Sequence, residues 1–141
     1  QTGINTPTDF VGANPTFAEV VAMETAVAED NADQGNMAYV CRTTSRGYFK
    51  STEKFSGTGQ TMWEEGGTLN GYNVGVSNQV TTGDIFFGNW ADLLIGMWGG
   101  LDIMVNPYAL DTSGGVRICA LQSMDIAVRH PVSFAYNNDG A

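Results

Sequence analysis

The stretch at residues 90–109, WADLLIGMWGGLDIMVNPYA, decides how this chain is read. It sets two tryptophans and a Gly99-Gly100 pair among aliphatic residues, with Asp92 and Asp102 as its only charges. Residues 92–97 carry apolar side chains at a spacing that predicts one or two helical turns. Gly99-Gly100 then allows a sharp change of direction. Beyond it, Leu101, Ile103 and Val105 alternate with Asp102, Met104 and Asn106, the period of a strand with one covered face. Pro107 is expected to end that strand, because it cannot donate to a ladder. Such a segment serves as core, membrane element, ligand pocket or subunit interface, and the rest of the sequence must choose.

Composition removes several options. At 141 residues the chain suits one domain, which buries about two-thirds of its unfolded surface. Its 15 acidic and 6 basic residues give a formal net charge of −9. Six scattered cations cannot supply the Lys/Arg surface that phosphate contacts need, nor one that docks on anionic lipid. Asp92, Gly96, Gly99, Gly100 and Asp102 interrupt the apolar run well short of the ~18 residues of a spanning helix. The opening QTGINTPTDF lacks an initiator Met, a basic start and an apolar signal core, so it reads as a cut inside a longer chain. Cys41 and Cys119 are too few and too far apart for a disulfide framework, and are expected to be unpaired residues of the core.

The strongest local signal is a helix over residues 16–33. Thr16 followed by Glu19 forms a capping box that satisfies orphan amides, and Phe17, Val20, Val21, Val27 and Ala28 share one side, with Glu24 interrupting. Residues 16–34 hold five acidic residues and no basic one. MAYVC (37–41) reads as a buried strand. Residues 42–55 hold four of the six cations and predict a short helix capped by Thr43 or Thr44. Between residues 61 and 90, alternating stretches broken by Gly, Asn and Thr predict short strands and turns, with Asn70-Gly71 as a hairpin dipeptide. Residues 116–128 form a long alternating strand through Val116, Ile118, Ala120, Ile126 and Val128, with a bulge expected at Gln122-Ser123. The expected class is α+β.

Candidate chemistry is thin. His130 is the only histidine, which leaves Ser–His or Cys–His catalysis one candidate base and gives zinc too few ligands with Cys41 and Cys119. Next to Pro131 it is expected to end a strand, half exposed. GTGQTMWEEGG lacks the Lys-Ser/Thr pair of a phosphate loop. Glu64-Glu65 could be an acid/base pair, but neighbours in a strand point to opposite faces. Asp102, Asp111 and Asp125 fit no calcium loop. No catalytic, cofactor-binding or metal-binding residue is assigned, no cofactor is expected, and the chain is not expected to be an enzyme.

Several ordered motifs carry a resemblance. GNWADLLIGMWGGLDIMVNPYA followed by SGGVRICALQSMDIAVRHPVSFA resembles the C-terminal signature of tailed-bacteriophage major capsid proteins, with the Hong Kong 97-type fold. PTFAEVVAMETAVAEDNAD and GTLNGYNVGVSNQV are similar to the same family in the same order. The resemblance implies a structural tile of an icosahedral DNA container, built as pentamers and hexamers. It also implies possible scaffold, portal and decoration partners, no sequence-specific nucleic-acid binding and no membrane. Location would be the virion, after assembly in the host bacterial cytoplasm. It divides the chain into a peripheral-domain segment with a spine helix (1–36), an axial domain (37–100), long peripheral strands with a tip loop (101–128), and a return to the axial domain (129–141). The N-terminal arm and the extended E-loop would precede Gln1. Some relatives join subunits by a lysine–asparagine isopeptide bond promoted by a glutamate; SGGVRICALQ supplies neither Asn nor Glu, so cross-linking is not inferred.

Under this reading Trp90 and Trp98 serve either as core or as contact area between subunits, and the acidic side of helix 16–33 faces the lumen, repelling DNA. The rival readings are an encapsulin-like compartment shell, a carbohydrate-binding module stacking sugars on Trp63, Trp90 or Tyr72, and a hydrolase using Glu64 or Glu65.

Overall fold

The computed structural model describes residues 3–7 and 14–138, apart from the side chain of Asp111. Helix α1 spans Phe17–Glu29, with the expected capping box: the Glu19 amide donates to Thr16 Oγ1, and the Thr16 amide donates to Glu19 Oε2 at 2.7 Å. It stops short of residue 33. Asn31 turns to φ 55° and the Ala32 amide donates back to the Val27 carbonyl, a left-handed close that satisfies the last turn. Val20, Met23 and Val27 are fully buried. Met23 extends the expected stripe, and Glu24, which seemed to interrupt it, accepts a hydrogen bond from the Tyr72 hydroxyl at 2.9 Å.

The helix packs on a five-stranded sheet ordered β2-β3-β1-β4-β7, made of β1 (Met37–Cys41), β2 (Thr68–Leu69), β3 (Tyr72–Val76), β4 (Ile85–Asn89) and β7 (Phe134–Asn137). β1 pairs parallel with β3; the other pairings are antiparallel. Alternation along β1 sends Met37, Tyr39 and Cys41 into the core, where Tyr39 meets Phe87 at 4.4 Å between ring centroids. The buried Tyr39 hydroxyl donates to the Val20 carbonyl, tying helix to sheet.

Helix α2 (Thr43–Ser51) adds Phe49 to this core. Its N-cap is Arg42, held extended while its guanidinium donates to the Val80 carbonyl; Thr43, one of the two expected caps, instead donates its hydroxyl to Asn78 Oδ1. Asn70 and Gly71 take φ 52° and 80° between the paired Leu69 and Tyr72, the hairpin turn their sequence called for. Each sheet edge carries one isolated bridge. Asn5 bridges to Ala135 beside β7, and Trp63 bridges to Leu69 on β2.

The stretch that opened the reading departs from expectation. Only Trp90–Asp92 forms a single 3₁₀ turn, and no helix follows. Asp92 spends its carboxylate on Asn89 and Ser133, and the chain enters β5 (Leu93–Leu110), which pairs antiparallel with β6 (Gly115–Val128). Leu93, Ile95 and Met97 sit opposite Val128, Ile126 and Met124, so period two prevails where helical spacing was expected. Gly99-Gly100 does not reverse the chain. Gly99, Gly100 and Leu101 bulge opposite the single Gln122, whose side-chain amide reaches the Gly99 carbonyl at 3.4 Å. The bulge is therefore at the expected level, but its extra residues lie on the facing strand. Pro107 does not end β5 either. It falls in a second bulge, between the Asn106–Arg117 and Leu110–Gly115 pairs, where a missing donor breaks no ladder bond.

The chain thus forms two compact units, Gln1–Asp92 with Arg129–Ala141, and Leu93–Val128. Residues 93–100, expected with the sheet, belong to the two-stranded ribbon. Residues 17–29, expected apart from the sheet, pack on it.

Candidate assembly surface

Pairing register assigns the ribbon's side chains to its faces. Cross-strand partners share a face and successive residues alternate. Leu93, Ile95, Met97, Ile103 and Val105 on β5 therefore share a face with Ile118, Ala120, Met124, Ile126 and Val128 on β6. Gln122, opposite the first bulge, is the polar residue of this face. The other face mixes Leu94, Trp98, Met104 and Leu121 with Asp102, Asn106, Arg117, Ser123 and Asp125. Each bulge gives three β5 residues to one on β6, an even excess of two, so the alternation resumes in phase after both.

This apolar face is uncovered: Met97 is 68% exposed, Ile118 67% and Val105 59%, whereas the core residues of the other unit lie at 0–9%. Two strands without a covering layer are marginal in water. A contiguous apolar surface of this kind marks an association site.

The sequence candidates for chemistry are dispersed. Glu64 accepts hydrogen bonds from Lys54, with which it forms an ion pair, from the Thr68 hydroxyl and from the Gly71 amide. Chiefly through Lys54, these contacts hold its carboxyl below the usual range, against the upward push of burial. It is a turn-pinning group in a shallow cleft lined also by Gln60, Thr61, Trp63 and the exposed Glu65. His130 is exposed rather than half exposed, and precedes the 3₁₀ turn Pro131–Ser133. Cys41 and Cys119 are both free thiols; Cys41 lies in the core, where burial pushes its thiol up to about 11, whereas Cys119 lies half-buried on β6 of the ribbon and not in the core expected for it. Among the described residues no group of His, Cys, Asp or Glu gathers to hold a metal; Asp102 and Asp125 face Leu121 and Gly96, and the Asp111 side chain lies outside them. The aromatic platforms are tucked in. Trp63 and Tyr72 pack on the core, and the Trp90 indole donates to the Ala38 carbonyl with its ring edge-on to Phe134. Trp98 alone of the tryptophans stands out, 57% exposed.

Trp98, on the mixed face, is the ribbon residue that the sequence offers as contact area between subunits; the apolar face behind it was not read as one. The signal was present in the period-two series 93/95/97, masked by the leucine pair at 93–94 and by the glycines.

A close-packed α+β lobe followed by an uncovered apolar ribbon defines a class of protein that works through association. Comparison with known proteins supplies the family. The sequence profile of the phage capsid family matches residues 1–139. The chain is 34% identical over 117 residues to the major capsid protein of Halomonas phage phiHAP-1, a match covering 83% of this chain and 19% of that relative's length. A structure from Mycobacterium phage Che8 is similar with TM-score 0.69 at 15% identity, over 96% of this chain and 53% of that one. The capsid of an empty GTA particle is similar with TM-score 0.67 at 19% identity, over 99% and 47%. The chain belongs to the phage capsid family, and its fold is that of the Hong Kong 97-type capsid proteins.

Proposed function

We propose that this chain is a segment of the major capsid protein of a tailed bacteriophage or prophage, and that the whole protein self-assembles into an icosahedral shell around double-stranded DNA. The uncovered apolar face of the ribbon carries the reading: a tile must bury apolar surface beyond its own core. The lobe (residues up to 92 and from 129) is the axial-type domain, and the ribbon (93–128) is a peripheral-type extension. The partners are further copies, as pentamers and hexamers, with scaffold, portal and decoration proteins as additional ones. The protein is a structural component of the virion, made in the host cytoplasm, and catalyses no reaction. The acidic end of α1, with Glu29, Asp30 and Asp33, faces the lumen and keeps packaged DNA mobile by repulsion, within about a Debye length of ~8 Å.

The test is expression of the gene's full-length product and electron microscopy of what assembles. Closed shells that package DNA are the expected result. Shells filled with protein cargo and lacking DNA would favour a compartment shell, and a soluble monomer at high concentration would refute both. Replacing Glu29, Asp30 and Asp33 by lysine should leave shell formation intact and slow DNA packaging or ejection; unaltered kinetics would remove the luminal assignment.

A further inference from the structure

The Asn70-Gly71 turn joins β2 to β3 at one edge of the sheet. Two carboxylates, from distant parts of the chain, hold it. Glu64 accepts from the Gly71 amide at 3.0 Å, from the Thr68 hydroxyl at 2.9 Å, and from Lys54 Nζ. Glu24, on α1, accepts from the Asn70 side-chain amide and from the Tyr72 hydroxyl at 2.9 Å. The turn is thus fastened to the segment before β2 by one carboxylate and to the helix by the other.

We propose that Glu64 forms an acid-released latch on the β2–β3 turn: ionised, it pins the turn to the preceding segment, and protonated it lets the turn open, while Glu24 ties the turn to the helix. A carboxylate accepts through both oxygens, and charge-assisted bonds are about twice as strong as neutral ones. A carboxylic acid must turn one oxygen into a donor; the Lys54 ammonium and the Gly71 amide facing Glu64 can only donate, and the Thr68 hydroxyl could take its proton only by reversing the present bond. The charged and titratable neighbours are few. Lys54 faces Glu64. Tyr39 and Tyr72 lie near Glu24, and Asp33 adds to the negative field at Tyr72. Burial, foremost, raises the Tyr39 hydroxyl, and the Glu24 hydrogen bond, foremost, raises that of Tyr72, so both remain neutral donors at neutral and acid pH. The carboxyl of Glu64 is held below its ordinary value, mainly by Lys54. Its stabilisation is therefore complete at neutral pH and lost as pH falls through that lowered value, below the ~4.3 of a free glutamate.

Opening stays local. Leu69 is fully buried and keeps β2 anchored in the core, while β3 stays paired with β1 along Ala38–Cys41. The latch accordingly governs the turn itself, independently of what the ribbon binds.

Hydrogen exchange on the full-length protein, corrected for intrinsic rates, tests it between pH 6 and pH 3. Protection of the Gly71 amide should fall at least tenfold over that range while β1 and β4 amides hold. In Glu64→Gln the Gly71 amide should exchange fast at both ends, with no transition. Thr68→Val keeps the charge but removes one donor, and should shift the transition to higher pH; it decides the matter if Glu64→Gln does not fold. A Gly71 amide whose protection ignores pH, or falls together with β1, or keeps its wild-type transition in Glu64→Gln or Thr68→Val, overturns the latch.

Discussion

Replacing Ile118 by glutamate is the sharpest test of the ribbon. Its side chain is 67% exposed and pairs across the strands with Val105, itself 59% exposed. Full burial of an isoleucine is worth about 1.5–3 kcal/mol. About two-thirds of that, roughly 1–2 kcal/mol per copy, remains to be gained when the face is covered. Ile118→Ala should therefore weaken association by about 5- to 30-fold. Ile118→Glu adds the desolvation of an unpaired charge, several kcal/mol, and should stop assembly. The lobe should not notice, because Ile118 belongs to the other compact unit. The assay is sedimentation of shells against free subunits over a concentration series, paired with thermal unfolding of the unassembled protein. Assembly of Ile118→Glu at the wild-type threshold would refute the reasoning. A lowered melting temperature with unchanged assembly would place the covering partner within the same polypeptide.

Three further outcomes concern the lobe. A Cβ at Gly88 would lie 2.5 Å from Phe134 Cδ1 and 2.6 Å from the Ser133 carbonyl oxygen, so Gly88→Ala should destabilise by about 1–3 kcal/mol in chemical denaturation; Gly100→Ala meets nothing within 4 Å and should leave the lobe's stability unchanged. Thr16→Ala removes the capping box of α1 and should cost about 1 kcal/mol by the same measurement. Burial and a thiol pushed up to about 11 should keep Cys41 unreactive toward a thiol reagent at pH 8 until the protein unfolds, and mass spectrometry of native and denatured samples would show it.

Local signals were readable where local chemistry settles the structure. Thr16 and Glu19 satisfy each other's amides within one turn, and Asn70-Gly71 needs only its own tolerance of positive φ, so both were legible. MAYVC was legible because its alternation matches a sheet covered on one face. The errors lie where a partner far along the chain decides. Glu24 looked misplaced in an apolar stripe because its donors, Asn70 and Tyr72, are 46 and 48 residues away. Residues 92–97 looked helical because Leu93, Leu94 and Met97 fit a 3.6-residue period; the competing period two becomes compelling only once Met124, Ile126 and Val128 stand opposite. Trp98 apart, the apolar face of the assembly surface was missed for the same reason. A face is a property of two strands in register, and the register depends on a bulge that the glycines permit without dictating.

The even count of those bulges limits how the ribbon's length can change. Adding or removing two residues around Gly99–Leu101 or around 107–109 keeps the oily side oily, so such changes should be tolerated in pairs. A single-residue insertion or deletion there would turn over one strand against the other. At the first point an insertion would put Asp102 and Met104 where Ile103 and Val105 stand, a deletion would put Met104 and Asn106 there, and polar groups would be spread through the adhesive side. Drift in this gene should therefore preserve parity at these two points more strictly than it preserves the identity of any one residue.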